Sequence, residues 1–468
     1  MAMEPIASTL TARTFAQPLV TDPAALVFGR APRPVRCGLG GLVLGGGQVY
    51  PELNFTLPPM LIEAPTWPRV RTIYADVIDG ALRRARDLAL PGLVVEFEQL
   101  PPMTAEPALG AELTKLLKDR LAQAHAEFGL KAALRVTIVD LREELKPPPR
   151  RGGAAWTAMQ QSLEQSAGAG ADILSIESTG GKEVHDAALT RADLPGIVFA
   201  LGVLAPRDMA WLWDRFVEVA TAHGIIAGGD SACGFENTAM QLAGQTMLPD
   251  VLAALVRALS SVRSLVAFER GAVGPSKDCA YEGPVMKAIA GVPIAMEGRS
   301  ATCAHLSPIG NVAAAMADLW SNESVPDVRL LSGPAPIASL ESLAYDCRLL
   351  NAALARGSER ELRDLHVASD VPHSAQAVLL SPAATVALAR AITDASDPYA
   401  RTLAAGRTAM ALLEQAERDG VYAVPARERK WFDKLRAALD TLPAEAAALH
   451  AQIHPRYGEL FNPREYDL

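Results

Sequence analysis

Three side chains that can bind a transition metal each end or follow a segment that favours a strand. They are Glu177, Cys233 and Cys279. Two thiolates and one carboxylate suit zinc, which accepts sulfur and oxygen ligands and keeps an open position when only three protein groups bind it. The wide separation of the two cysteines argues against a zinc knuckle and is compatible with a site built from distant loops.

A plainer interpretation is open for each of these residues. A lone buried cysteine is most often a small hydrophobic core residue, so Cys233 and Cys279 could be no more than that. An acid at the end of an apolar strand rarely lies there without a partner, and Glu177 could pair with Lys182 or with an arginine. Spacing alone does not separate these alternatives from a metal site.

Two aspartates lie close to the cysteines in sequence. Asp230 precedes Cys233 and Asp278 precedes Cys279. Either acid could orient a ligand or move a proton, or it could only cap the helix that follows.

The remaining cysteines and histidines with metal-binding potential have simpler interpretations. A lone cysteine usually fills core space, and a histidine pair in an alanine-rich helix usually faces solvent. The residues interpreted in this way are Cys37, Cys303, Cys347, His305, His450 and His454. Cys303 and His305 follow a predicted strand and are the closest of them to the predicted site.

Strand-like and helical segments alternate from about residue 71 onward. Eight short apolar strands are predicted at 93–97, 134–139, 172–177, 197–202, 225–227, 265–268, 293–296 and 328–331. Such alternation implies a parallel sheet, and eight units predict an α/β fold of the (β/α)₈ barrel type, with an open doubly wound sheet as the alternative. In a barrel, functional residues come from the carboxyl ends of the strands, where Glu177 and the two cysteines are expected.

Three parts of the chain differ in composition. Residues 1–70 are rich in Pro and Gly and are predicted to pack on the barrel, residues 71–357 to form it, and residues 358–468 to be helical. Glycines between 38 and 47 do not fit a phosphate-loop template. The stretch 147–151, PPPRR, is predicted to be a stiff exposed loop on the catalytic face.

Composition limits the function classes. The 468 residues carry a net charge of −9, which does not favour binding to nucleic acid or to an anionic membrane. Five widely spaced cysteines do not resemble a disulfide framework. Neither a signal peptide nor an apolar run as long as a membrane span is recognised, so the protein is predicted to be cytoplasmic.

Several long segments resemble one known family. GADILSIESTGGKEV, GGDSACGFENTAMQLA, GAVGPSKDCAYEGPVMKAIAG and EGRSATCAHLSPIGN resemble the zinc subunit of methanol:corrinoid methyltransferases, and PELNFTLPPM does so near the start. The resemblance covers most of the chain and is densest from about 165 to 325. It implies a (β/α)₈ barrel with helical additions, and zinc held by Glu177, Cys233 and Cys279.

The resemblance also implies a reaction. The family transfers the methyl group of methanol to the cobalt of a separate corrinoid protein, which must dock over the barrel mouth in a hetero-oligomer; the barrel itself could also form a homodimer. Zinc would act as a Lewis acid on the alcohol oxygen. Because hydroxide is a poor leaving group, an acid is expected to supply a proton, and the candidates are Asp230, Asp278 and Glu236.

Three other functions are compatible with the same sequence. The methyl donor could be a methoxylated aromatic or a methylamine in place of methanol. The barrel could be a lyase or aldolase that works without corrinoid, through a Schiff base at Lys146, Lys182 or Lys277. It could also be a non-catalytic scaffold for a corrinoid protein, which would bind no zinc.

Overall fold

A parallel sheet lies at the centre of the molecule. The computed structural model describes residues 13–299, 305–331 and 333–468. The strands of the sheet are β3 (Tyr50–Phe55), β4 (Leu93–Glu98), β5 (Ala132–Val139), β6 (Ile173–Glu177), β7 (Ile226–Asp230), β8 (Ala295–Glu297) and β9 (Leu319–Ser324). Their spatial order is β7-β6-β5-β4-β3-β9-β8. Two antiparallel hairpins lie outside this sheet, β1 (Arg30–Cys37) with β2 (Leu42–Gly46) and β10 (Arg329–Leu330) with β11 (Gly333–Pro334).

Helices connect successive strands and continue after the sheet. They are α1 (Trp67–Asp87), α2 (Pro101–Ala105), α3 (Pro107–Phe128), α4 (Gly153–Ala169), α5 (Lys182–Leu189), α6 (Leu194–Phe199), α7 (Ala205–His223), α8 (Cys233–Gly244), α9 (Asp250–Glu269), α10 (Gly283–Ala290), α11 (Gly310–Ala314), α12 (Ala335–Arg356), α13 (Glu359–Asp370), α14 (Ala375–Leu380), α15 (Pro382–Thr393), α16 (Pro398–Arg418), α17 (Arg429–Thr441) and α18 (Ala446–Tyr457). A π-helical turn, Ala200–Leu204, joins α6 to α7. Short 3-10 turns lie at Pro23–Ala25, Leu141–Glu143, Val371–His373 and Pro463–Tyr466.

A segment without regular secondary structure, residues 273–278, runs along one edge of the sheet. Val273 N donates to Ala227 O (2.9 Å) and Gly274 N to Gly228 O (2.7 Å), so the segment continues the ladder beyond β7. On its other side the segment approaches Pro293. Gly274 has φ +82°, and a Cβ at this position would lie only 2.8 Å from the carbonyl oxygen of Pro293. The segment therefore lies between β7 and the start of β8.

Charged side chains are buried among apolar strands. β4 reads LVVEFE and β5 reads AALRVTIV, with nearly every residue buried, as expected for parallel strands covered on both faces. Arg135 of β5 nevertheless donates from Nε to Glu52 Oε1 of β3 at 2.7 Å, and neither side chain reaches solvent. Its Nη1 also donates to the carbonyl of Ser276 at 2.6 Å. Polar groups from several strands thus meet on one side of the sheet.

Five of the eight predicted strands are confirmed, within β4, β5, β6, β7 and β8. The strand predictions at 197–202 and 265–268 are wrong. The first range belongs to α6 and the π turn that follows it, and the second belongs to α9. Both helices are surrounded by protein, so their apolar runs show no helical period. Residues 328–331 are also wrong as a strand of the main sheet, since they lie at the β10–β11 hairpin.

Two strands of the sheet, β3 and β9, are absent from the sequence prediction. β3 contains Pro51, Glu52 and Asn54, and β9 reads LWSNES, so neither has the apolar run that favours a strand. β3 lies inside the predicted N-terminal segment 1–70 and yet pairs with both β4 and β9. The α/β class with a parallel sheet is confirmed, and the division of the chain at residues 70 and 357 stays a prediction.

Two helical stretches are long and apolar enough to cross a membrane by length and composition alone, contrary to the sequence prediction. They are Leu194–His223 and Asp250–Glu269. Most of the first and all of the apolar window of the second are buried inside the protein, as in core helices. They are therefore weak evidence for a membrane.

Candidate metal centre

Two strand ends and the 273–278 segment bring the predicted ligands together. Glu177 is the last residue of β6, Cys233 begins α8 shortly after β7, and Cys279 follows the 273–278 segment. One ligand atom from each lies within 4.8 Å of the other two, and the Cys279 thiol donates to Glu177 Oε1 at 3.1 Å. Both cysteines are buried, whereas the Glu177 side chain is 31% exposed. The cluster is therefore open on one side.

The donor set and its spacing fit zinc. Tetrahedral zinc with bonds of about 2.3 Å to sulfur and about 2.0 Å to oxygen holds its ligand atoms roughly 3.5 to 3.8 Å apart. The limit of 4.8 Å among the three atoms is compatible with that arrangement. Two sulfurs and one oxygen leave a fourth position, and the partial exposure of Glu177 provides a side from which it can be reached.

A buried lysine completes the cluster. Lys277 Nζ lies 3.0 Å from Glu177 Oε1, 3.0 Å from Asp278 Oδ1 and 3.6 Å from Cys279 Sγ. Burial disfavours its charge, but the surrounding acids outweigh burial and raise the pKa of Lys277 well above its ordinary value. The predicted partner of Glu177, Lys182, instead pairs with Asp186. A Schiff-base lysine needs a lowered pKa, so the environment of Lys277 disfavours that chemistry.

The charge states of the three candidate ligands differ. Burial works against ionisation of Glu177, but Lys277 and the thiol hydrogen bonds outweigh it, so the pKa of Glu177 lies below its ordinary value. Burial raises the pKa of Cys233 to about 12 and that of Cys279 well above its usual range. Without a metal both thiols are therefore neutral, and binding a cation must release their protons.

Loop contacts fix the positions of the cysteines. Cys233 N donates to Ser231 Oγ at 3.0 Å, and the same oxygen lies 3.3 Å from Cys279 Sγ. Glu282 Oε1 accepts from Ala232 N at 2.9 Å. Sequence reasoning missed Ser231 and Glu282 and considered Lys277 only as a Schiff-base residue. The short separation of Ser231 from Cys233 and of Lys277 from Cys279 was the signal available for two of them.

Asp230 and Asp278 are both held by partners. Asp230 accepts from Arg263 at 2.8 Å and from Trp213 Nε1 at 3.0 Å. Asp278 accepts from Ser321 Oγ at 2.7 Å, in addition to Lys277, and lies within 4.8 Å of Cys279 Sγ. The favourable contacts outweigh burial, which alone would raise the pKa of Asp278, so this pKa lies below its ordinary value. Asp278 is thus placed near the ligands as an anion.

Glu236 is a different kind of acid. It lies in α8, three residues after Cys233, and its side chain is fully buried. Burial and the neighbouring Glu282 raise the pKa of Glu236 well above its ordinary value, against the effect of Arg257, which donates to it at 2.8 Å. Burial thus favours the neutral form of Glu236, in contrast to Asp278, whose pKa is lowered.

A second group that could hold a cation shares one ligand with the first. Asp278, Cys279 and Glu297 also offer ligand atoms within 4.8 Å of one another. Glu297 accepts from Tyr281 Oη at 2.8 Å and lies 3.5 Å from His305 Nε2. Because this group contains no second thiol, it suits zinc less well than the Glu177 cluster.

The other candidates lie elsewhere. Cys37 and Cys347 are buried free thiols, as predicted. His450 stacks on Phe199 with a ring separation of 5.5 Å and so lies in an aromatic cluster, not on the predicted solvated face. Cys303 falls outside the described residues. The 147–151 stretch is not the exposed loop that was predicted, because the Arg150 side chain is fully buried.

A parallel sheet whose strand ends bring two thiols and a carboxylate together is typical of α/β enzymes that bind a metal ion. The family model described as MtaB, methanol-cobalamin methyltransferase B subunit, matches residues 13–467. The chain belongs to this family, as the resemblance of its sequence segments predicts.

Two similar proteins come from Methanosarcina barkeri. The chain is 35% identical over 448 residues to the methanol–corrinoid protein co-methyltransferase of this organism. The match covers 94% of this chain and 96% of that protein. A chain in the crystal structure of its methanol:cobalamin methyltransferase complex MtaBC is 32% identical, with a TM-score of 0.93 over 98% of this chain and 100% of that chain.

Proposed function

We propose that this protein binds zinc through Glu177, Cys233 and Cys279 and transfers the methyl group of methanol to the cob(I)alamin of a separate corrinoid protein. The convergence of these three ligand atoms at strand ends carries the proposal. The name of the methanol–corrinoid protein co-methyltransferase, similar to this chain over nearly its full length, supports methanol and a corrinoid protein as the reactants.

The barrel is completed, in our proposal, by the 273–278 segment. Its hydrogen bonds to β7 and its proximity to the residues before β8 support its role as an eighth strand that closes the sheet. Arg135 reaches from β5 across to the carbonyl of Ser276, which supports closure as well. The barrel then begins at β3 and not at residue 71, and helices after α12 form the added helical region.

Bound zinc would supply a Lewis acid that polarises the oxygen of methanol and weakens its bond to the methyl carbon. Two thiolates and one carboxylate give a divalent ion a formal net charge of −1, which reduces its acidity. Lys277, 3.0 Å from Glu177 and 3.6 Å from Cys279 Sγ, offsets this charge with a fixed positive one. Burial of both cysteines limits the access of water to the thiolates.

The reaction also needs a proton, because the methyl group leaves hydroxide behind. We assign this proton to the buried carboxyl of Glu236, which lies in the first turn of α8, three residues after Cys233, and whose pKa is raised by burial and by Glu282. Asp278 and Asp230 then serve to hold Lys277 and Arg263 in place through their ion pairs. Wild-type turnover in a Glu236→Gln variant would contradict the assignment of the proton to Glu236.

The corrinoid protein must cover the face where the strands end. Large apolar side chains that follow β3, β5, β8 and β9 are exposed, as at an interface. They include Leu61, Leu145, Leu306 and Leu330. We expect the protein in the cytoplasm, where its thiols remain reduced and can bind metal.

Metal analysis combined with a methyl-transfer assay tests the proposal. Purified wild-type protein should contain one zinc per chain and methylate cob(I)alamin from methanol. Cys279→Ser should lose both zinc and activity, by more than the roughly 10–100-fold typical of residues that only support a ligand. Cys347→Ser, which alters a buried thiol in α12, is the matched control and should retain both.

Two results would contradict the proposal. An active, zinc-free Cys279→Ser enzyme would remove the ligand assignment. A wild-type enzyme that methylates cob(I)alamin from methoxylated aromatics or methylamines, and not from methanol, would keep the site but change the donor.

A further inference from the structure

The loop that follows Glu177 is held in place by hydrogen bonds and by close packing. Residues 178–181 connect β6 to α5. Thr179 N donates to Asp140 Oδ2 at 2.9 Å, and its carbonyl accepts from Arg150 Nη2 at 2.9 Å. Gly181 has φ +85°, and a Cβ there would lie 2.8 Å from the carbonyl of Ala200, so the loop has no room to shift in that direction.

A segment from the far end of the sequence reaches this loop. In the 463–468 segment, Glu465 Oε2 accepts from the backbone N–H groups of Arg150 and Arg151, at 3.1 and 2.7 Å. Arg207 Nη1 donates to the carbonyl of Tyr466 at 3.0 Å. These contacts hold the segment against the residues that surround the 178–181 loop.

The Tyr466 hydroxyl joins three parts of the site's surroundings. It accepts from Gly181 N at 3.0 Å and from Arg150 Nε at 3.1 Å, and it donates to Glu183 Oε1 at 2.6 Å. The side chain is fully buried, and Arg150 also pairs with Glu183 at 2.7 Å. The hydroxyl oxygen accepts two hydrogen bonds and donates one. Phenylalanine could therefore keep the shape of this side chain but would lose all three hydrogen bonds.

We propose that Tyr466 is a positioning residue of the metal centre, which holds the 178–181 loop so that Glu177 faces Cys233 and Cys279. The inference rests on the proposed zinc site. Glu177 immediately precedes a loop whose backbone is bonded at Thr179 and Gly181, so its direction depends on those anchors. Groups that orient a ligand typically contribute 10- to 100-fold to metal affinity.

Tyr466→Phe tests the inference in the full chain, with Tyr399→Phe as the matched control. Tyr399 is also buried, and its hydroxyl donates to the carbonyl of Pro443, between helices of the added region. We expect Tyr466→Phe to bind zinc about tenfold more weakly in competition with a chromophoric chelator. Its cobalt(II)-substituted form should show an altered absorption spectrum, because the carboxylate ligand is less well placed. Tyr399→Phe should match wild type in both.

Amide hydrogen exchange of the metal-free protein provides a second measurement, which reports on the mobility of the loop. Peptides covering 178–190 should exchange faster in Tyr466→Phe than in wild type, while the far helices remain protected. Glu183→Gln weakens the contacts of Glu183 with Tyr466 and Arg150 and leaves the tyrosine itself unchanged. It should give a smaller change in the same direction. This variant carries the test if Tyr466→Phe does not fold, as judged by circular dichroism.

The possible outcomes are distinct. Wild-type zinc affinity and an unchanged cobalt spectrum in both variants would overturn the inference, even if the loop exchanged faster. If zinc binding by the wild-type chain did not depend on Cys279, the proposed metal site would fail, and the role of Tyr466 would fail with it. Weaker zinc binding together with faster exchange at 178–190 would support it.

Discussion

Two regions of this molecule are equally buried but are built from opposite kinds of side chain. Within the sheet and around its strand ends, charges such as Arg135, Arg142 and Lys277 each face acids and are almost completely buried. Around α9, apart from Arg257 and Arg263, which reach toward Glu236 and Asp230, the buried side chains are mostly aliphatic, and the helix is covered for nearly its whole length. The first region is held by specific geometry and the second by the area of apolar surface removed from water, so they should respond differently to mutation.

The largest effect on stability is expected in the charged region. Arg142 donates to both Asp140 and Asp208, and none of the three side chains is exposed. Arg142→Leu leaves two buried carboxylates without the cation that neutralises them, so we expect a loss of about 3–5 kcal/mol in the free energy of unfolding, measured by urea denaturation. The triple variant Asp140→Asn, Arg142→Met, Asp208→Asn should recover most of it; a triple variant as unstable as the single one would contradict this explanation.

The apolar region should lose somewhat less from one truncation. Leu259 of α9 is fully buried and packs beside Gly406 of α16. Leu259→Ala should cost about 2–4 kcal/mol, because it removes buried methyl groups and leaves a cavity. Leu259→Met, which keeps the volume, should cost less than about 1.5 kcal/mol in the same denaturation experiment. Equal losses in the two variants would mean that packing at this position is not specific.

Acid should act on the charged region alone. Burial would raise the pKa of Asp140, but Arg142 and its hydrogen bonds outweigh burial and hold that pKa well below its usual range. Because the pKa is lowered on folding, the stabilisation is complete above the unfolded pKa of about 4 and is lost as the pH falls further, by up to about 1.4 kcal/mol per pH unit. Thermal unfolding of metal-free protein between pH 5 and 2 measures this loss. Asp140→Asn should flatten the slope, and Leu259→Ala should leave it unchanged.

The smallest effect is expected for charges that remain in water. Lys115 and Asp119 form an i,i+4 pair on α3 with both side chains largely exposed. Lys115→Ala should change the free energy of unfolding by no more than about 0.5 kcal/mol, and less at high salt. A loss comparable to that of Arg142→Leu would show that burial is not what distinguishes the two kinds of ion pair.

The same contrast explains what the sequence could predict. Glu177, Cys233 and Cys279 were predicted to be ligands because each lies at or just after an apolar segment and because long segments resemble one family, and the structure brings their ligand atoms together. The strands β4, β5 and β6 were found because they are apolar and short. The pattern failed where burial and hydrophobicity separate: β3 is fully buried and yet contains Glu52 and Asn54, and the start of β9 is buried although the strand is mostly polar in sequence, so both were missed.

Helices with no exposed face produced the opposite error. Residues 265–268 of α9 were predicted to be a strand, since an apolar run buried all around has no period to reveal a helix. Contacts between distant parts of the chain were also out of reach. Lys277 beside Glu177, and Tyr466 beside Gly181, depend on how the sheet curls and on where the last helices lead the chain.

The position of Cys279 has a mechanical consequence. It follows the stretch that runs between the two outer strands of the sheet, while Glu177 and Cys233 belong to the β6 and β7 side. An ion shared by these residues would cross-link the 273–278 segment to the ends of β6 and β7. Removal of the ion should therefore loosen the contact between this segment and β7 before it affects the strands on the other side of the sheet. Metal binding and the stability of this part of the fold would then be coupled.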